Sequence, residues 1–146
     1  GYSKKRVLLV HGWSGRGTQM YALSDKLLEN GFMTISFDGP AHGQSTGKTT
    51  KMPEFITVCL ELDKKYGPFE LAVGHSMGGM AIINACTKGL RVNKIVSIGA
   101  TDRLSDIIKI FIKTIGLKSS IAPRVIRKYN RRIGIDIDNY ATSTAA

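Results

Sequence analysis

The sequence predicts an α/β fold: a partial, doubly wound parallel sheet with helices on both faces and a helical segment after it. Two observations predict the sheet. Through residue 100, short apolar runs alternate with segments whose apolar residues recur at helical spacing. That order gives parallel strands joined by crossover helices. The runs are also apolar at successive positions, as strands covered on both faces require.

Residues 6–10 (RVLLV) read as the first strand. Met20, Leu23, Leu27 and Leu28 then mark a helix, and Gly31 stands where its C-terminus is expected. Residues 33–37 (MTISF) form a second strand, followed by a Gly/Pro/Ser-rich loop over 38–50. Phe55, Cys59, Leu62 and Tyr66 space as a helix, with Pro53 near its start and Gly67-Pro68 beyond its end. Residues 69–73 (FELAV) are the third strand, 81–85 lie in a third helix, and 95–98 (IVSI) are the fourth strand. After Ala100 the alternation stops. Leu104, Ile107, Ile108, Phe111, Ile112 and Ile115 mark an amphipathic helix that Gly116 ends. Ile121, Val125, Tyr129 and Ile133 mark another, with Ser119 or Ser120 as its expected cap. Residues 136–146 read as a small, polar tail with no strand.

The 146 residues are 42% hydrophobic, enough for a buried core, and 22% charged, too few for a disordered polyelectrolyte. No apolar run is long enough to cross a membrane, and the apolar stretch near the start is too short for a signal-peptide core. Cys59 and Cys86 fall in separate predicted helices and read as buried thiols, which suits a reducing cytoplasm. Two cysteines and three scattered histidines make no metal site, and nothing calls for a cofactor.

The charge is more unusual. Lys and Arg number 21 against 11 Asp and Glu, a balance of +10 that divides as +5 on each side of Ala100. Such a surplus raises nucleic acid or an anionic membrane as a partner. Between Lys118 and Arg132 stand six basic residues and no acid, with Arg124, Arg127, Lys128 and Arg131 along one helix face. The simplest reading of that stripe is a solvated outer face. The alternative is contact with anionic lipid or a negatively charged acyl substrate. No nucleic-acid motif is present and the cations are not interleaved with aromatics, so nucleic acid is not expected.

The chemistry lies at the strand ends. Gly74-His75-Ser76-Met77-Gly78 matches G-x-S-x-G, directly after the third strand and before a helix rich in small residues. A strand entering a helix through so tight a turn needs the space that Gly74 and Gly78 leave. Ser76 is the candidate nucleophile, and the Met77 amide at the helix N-terminus would face an oxyanion. Without that placement the pentapeptide reads as an ordinary glycine-rich turn. His11-Gly12-Trp13 ends the first strand, and the Trp13 amide is the candidate second oxyanion donor.

Asp38-Gly39-Pro40-Ala41-His42-Gly43-Gln44-Ser45 ends the second strand. With this third motif the chain resembles the α/β-hydrolase family over about residues 4–100, through HGW (11–13), DGPAHGQS (38–45) and GHSMGG (74–79) in family order. The resemblance implies that His42 and Gly43 brace the loop beside the nucleophile. It places His11, Gly12 and Asp38 in structural roles too. Residues 1–100 would then be the N-terminal part of the core, 101–135 a helical lid, and 136–146 the start of a connection to the rest of the core. A decoy overlaps the middle motif. Residues 43–49 (GQSTGKT) look like a phosphate-binding loop, but three residues rather than four separate the glycines.

Serine needs a base. In this fold the triad runs Ser, then Asp or Glu, then His. His11, His42 and His75 all precede Ser76, and the ring of His75 is expected to point away from its hydroxyl. No general base is assigned. Asp102 is expected to cap the helix that follows it, and Asp136 and Asp138 have no strand to position them. The expected activity is serine hydrolysis of carboxylic esters or related acyl substrates, with base and acid absent from these residues. A non-catalytic binding protein using the same pocket is the alternative, and an anionic-membrane binder a third. The coding region is expected to continue for about 100 residues, with a strand ending in Asp and a later loop His. Reading it past Ala146 checks this; a stop codon there would refute it.

Overall fold

The computed structural model describes residues 5–145, and the chain divides into two compact units, Gly1–Ala100 and Thr101–Ala146. In the first unit the strands are β1 (Arg6–Val10), β2 (Met33–Ser36), β3 (Phe69–His75) and β4 (Val92–Ile98). The helices are α1 (Tyr21–Glu29), α2 (Met52–Tyr66) and α3 (Met77–Cys86). The sheet is fully parallel, in the order β2-β1-β3-β4.

Side-chain alternation divides the core between two faces. Val7, Leu9 and Val73 pack with Met20, Leu23 and Leu27 from α1 and the turn before it. Leu8, Val10 and Ala72 alternate with these and are fully buried on the opposite face. There α2 and α3 pack against each other. Cys59 is buried on α2, and burial pushes its thiol up to about 12, which keeps it protonated and inert.

β1 departs toward β2 while β3 departs toward β4, so the crossovers diverge between β1 and β3. The carboxyl ends of those two strands therefore border the crevice where parallel α/β sheets bind ligands. His11-Gly12-Trp13 and His75-Ser76 sit there.

β4 begins at Val92, earlier than the apolar run 95–98 indicates. It lies at the sheet edge, so Asn93 and Lys94 reach solvent without cost. Its coverage also departs from the two-sided burial expected of such strands: Ile95, Val96 and Ile98 are 40%, 44% and 47% exposed.

In the second unit α4 (Leu104–Thr114) and α5 (Ala122–Ile133) form the expected helix pair, followed by a 3-10 turn (Ile137–Tyr140) and the short α6 (Thr142–Ala145). Three expectations are corrected. Neither Ser119 nor Ser120 caps α5, because Ser119–Ile121 itself coils as a 3-10 turn and Ile121 takes the cap position. Asp102 does not cap α4 either. Its carboxylate accepts from the Ser143 amide (2.7 Å) and the Thr142 hydroxyl (3.0 Å), and so holds the start of α6. The first turn of α4 is satisfied from far along the chain, by Asp138 accepting from the Ser105 amide at 3.1 Å. Residues 136–145 are thus folded onto their own unit, with Ile137 and Ala141 buried.

Among the described residues β4 has a strand neighbour on one side only. An apolar edge with unpaired backbone invites association. With residues 1–146 alone, concentration-dependent self-association is expected by sedimentation velocity, and Val96→Lys with Ile98→Lys should reduce it. A monomer at every concentration would show that the edge does not pair.

Candidate active site

Ser76 occupies the single-residue turn between β3 and α3 at φ 51°, ψ −121°, a conformation that L-residues rarely adopt. It is partly exposed, whereas Met77 behind it is buried. Three backbone bonds hold the turn: the Ser76 amide donates to the Ile98 carbonyl (2.8 Å), and the Gly79 and Met80 amides donate to the Ser76 carbonyl (3.0 and 3.4 Å).

The surrounding glycines are there because nothing else fits. A Cβ on Gly78 would strike the Val10 and His11 carbonyls, and one on Gly74 would strike the Gly79 backbone. A Cβ on Gly12 would lie 3.0 Å from both the Ser76 Cβ and the His75 carbonyl. The loop after β1 therefore abuts the turn directly. Among the described residues, the amides of Trp13 and Met77 donate to no protein acceptor. The Trp13 side chain is 45% exposed.

The loops after β1 and β2 are clasped by two histidines. The buried His11 ring bridges Gly12 and Gly39: Nδ1 donates to the Gly12 carbonyl (2.7 Å), and Nε2 accepts from the Gly39 amide (2.8 Å). His42 does the same in the other direction. Its Nε2 accepts from the Ser14 amide (3.1 Å) while Nδ1 donates to the Pro40 carbonyl (2.9 Å). These partners assign each ring as neutral, with its proton on Nδ1. Burial holds the His11 pKa below its ordinary value.

Asp38 completes the clasp by accepting from the Gly17 and Gln44 amides at 2.7 and 2.9 Å. The bonds from Gln44 and then Gly17 hold its carboxyl below the usual carboxylate range. Gly43 is left-handed at φ 50°, and a Cβ there would meet the Asp38 carboxylate. Beneath both rings lies Phe55 of α2, edge-on to His11 at 5.3 Å and to His42 at 5.6 Å. Its ring also fills the space that a side chain on Gly39 would need.

Residues 5–127 match a family model described as alpha/beta hydrolase fold. The chain belongs to the α/β-hydrolase family. A search of curated proteins finds no relative of significant similarity. Solved structures with the same fold include an esterase from Exiguobacterium antarcticum, 18% identical with a TM-score of 0.65, over 90% of this chain and 54% of that one. A monoacylglycerol lipase from Paleococcus ferrophilus is 24% identical with a TM-score of 0.62, over 76% of this chain and 46% of that one. A carboxylesterase structure from Nitrososphaera gargenis is 21% identical with a TM-score of 0.65, over 75% and 43%. The chain thus spans about half the length of these structures, and its four-stranded sheet is part of the α/β-hydrolase fold.

Within this α/β-hydrolase chain, HGW, DGPAHGQS and GHSMGG come together at the carboxyl ends of β1, β2 and β3. His75 is exposed on the last residue of β3, with Nδ1 beside Gly12, and it makes no hydrogen bond to Ser76. The phosphate-loop decoy dissolves: Lys48 and Thr49 lie in the loop and α2 starts only at Met52, so no helix N-terminus meets them. No group of three His, Cys, Asp or Glu capable of holding a metal occurs among the described residues.

Sequence reasoning missed two participants. Phe55 carried only an apolar-helix signal, and Ile98 gave no sign that its carbonyl would hold the Ser76 amide. His11→Phe should keep the ring volume but orphan the Gly39 amide, costing about 1–3 kcal/mol. The depressed His11 pKa adds a sign. The unfolded chain protonates first, so wild-type stability is full above about pH 6.5 and falls on acidification below it. Chemical denaturation at several pH values should show that slope in the wild type and a flatter one in the variant.

Proposed function

We propose that Ser76 is the nucleophile of a serine hydrolase acting on carboxylic esters or related acyl substrates. The observation that carries the reading is Ser76 held in a strained turn beside two amides, those of Trp13 and Met77, with no acceptor among the described residues. Such donors stabilise the charge that develops on a substrate carbonyl oxygen. The Ser76 oxygen adds to the carbonyl carbon, and its proton passes to a base. Collapse expels the alcohol, which takes that proton and leaves an acyl-serine. Water then releases the acid by the same two steps. The exposed Trp13 indole beside the oxyanion position suits an uncharged, acyl-bearing group.

The base and acid belong outside residues 1–146 in this reading. Both ring nitrogens of His11 and His42 are committed to backbone groups, which leaves those rings bracing the loops rather than moving protons. The same commitment favours a second reading, a protein that binds acyl compounds in this crevice without turning them over.

A fluorophosphonate probe on the full-length protein separates the two. Rapid labelling that Ser76→Ala abolishes is expected, together with a loss of ester hydrolysis of at least about 10⁴-fold. A full-length protein that stays unlabelled would overturn the nucleophilic reading.

A further inference from the structure

We propose that the α4–α5 pair docks on an anionic phospholipid surface, seating exposed apolar side chains in the acyl boundary and basic ones among the headgroups. This rests on the second unit alone and not on the hydrolytic reading.

The apolar component is concentrated. Of the twelve large hydrophobic residues exposed among the described residues, six fall between Ile110 and Val125, around the connection between the two helices. Ile110, Phe111, Ile115 and Leu117 are 57%, 61%, 51% and 49% exposed. α4 already buries Leu104, Ile108 and Ile112, so Ile110 and Phe111 form a second apolar face with no partner among the described residues. A merely solvated helix gains nothing from such a face.

The charge is one-sided. Residues 107–135 carry eight Lys and Arg and no Asp or Glu. Lys113 lies one turn beyond Ile110, and on α5 Arg124, Arg127, Lys128, Arg131 and Arg132 are all exposed. A hollow of about 460 Å³ between the helices is lined by Lys109, Arg127, Arg131, Ser105, Asn130 and Asp138, among other residues. Its one acid, Asp138, accepts from the Ser105 amide and keeps its charge, so the arginines outnumber it. Lys109 is already paired with Asp106 at 2.8 Å, so Arg127 and Arg131 are the two cations of this concavity that suit a phosphate-bearing headgroup. A second hollow of about 380 Å³, beside Ile110, Ala122 and Pro123, is mostly apolar.

Each alternative occupant fits half of this. Burial under another protein layer would use the apolar face but would have to supply an acid for each cation it desolvates. A nucleic-acid strand would use the cations but leave the aliphatic cluster wet, with Phe111 the only aromatic among the six. An anionic bilayer surface takes both at once. Neither helix is long enough to cross a membrane, so the contact is peripheral.

The test is vesicle flotation of the full chain with phosphatidylcholine alone and with phosphatidylcholine mixed with phosphatidylglycerol. Binding to the mixed vesicles only, weakening as salt rises, is expected. Arg127→Gln with Arg131→Gln should lower affinity by about fivefold for each cation removed, while Arg127→Lys with Arg131→Lys should preserve it. Phe111→Ser with Ile115→Ser, at unchanged charge, should lower it by about tenfold or more. All these side chains are exposed, and an unchanged helical circular dichroism signal checks the fold. Equal flotation with both vesicle types, no flotation with either, or binding indifferent to the Phe111 and Ile115 pair would overturn the proposal. So would tight binding to duplex DNA without flotation, or loss of flotation in the lysine variants.

Discussion

The backbone turn at Ser76 is the constraint on which the first unit depends. A non-glycine residue at φ 51° costs on the order of 1–3 kcal/mol, and persists only where its surroundings over-determine it. Here they do. The Ile98 carbonyl fixes the Ser76 amide, the Ser76 carbonyl receives the Gly79 and Met80 amides, and Met77 and Met80 anchor the helix in the core. The close approach of α3 to β1 follows from the same turn, and with it the missing side chains at Gly74, Gly78 and Gly12. Geometry at one residue thereby dictates composition at three others, on β3, on α3 and in the loop after β1.

The histidine clasp solves a different problem. The loops after β1 and β2 carry backbone groups that would be buried without partners, which costs more than an ordinary hydrogen bond returns. A neutral imidazole both donates and accepts. Two of them, resting on Phe55, satisfy four backbone groups across two loops, and the Asp38 carboxylate satisfies two more. Because each ring serves as donor and acceptor together, protonation of either would break the arrangement. Burial of His11, which lowers its pKa, therefore protects the loop geometry near neutral pH.

Much of this was legible in the residues, for identifiable reasons. The apolar runs and the glycines around Ser76 are local signals, tied to strand burial and to turn sterics. They locate β1, β3 and the Ser76 turn closely. Less legible was anything that depends on a partner far along the chain. Asp102 looked like the cap of its own helix, yet it holds Thr142 and Ser143, while Asp138 accepts from the first turn of α4. The serines before α5 looked like caps because of their chemistry, and the extra 3-10 turn displaced them. The tail looked polar because its spacing was irregular, though Ile137 is 1% exposed. Helix capping is set by whichever acceptor arrives in space, and sequence distance is a poor guide to that.

Those two aspartates also bring the beginning and end of the second unit together, residues 102–105 against 138–143. A segment whose entry and exit are adjacent is a closed excursion. Its length and composition can change between those points without moving 102–105 or 138–143, as in a cassette. The cationic, apolar character of 107–135 is therefore not tied to the contacts that close the unit.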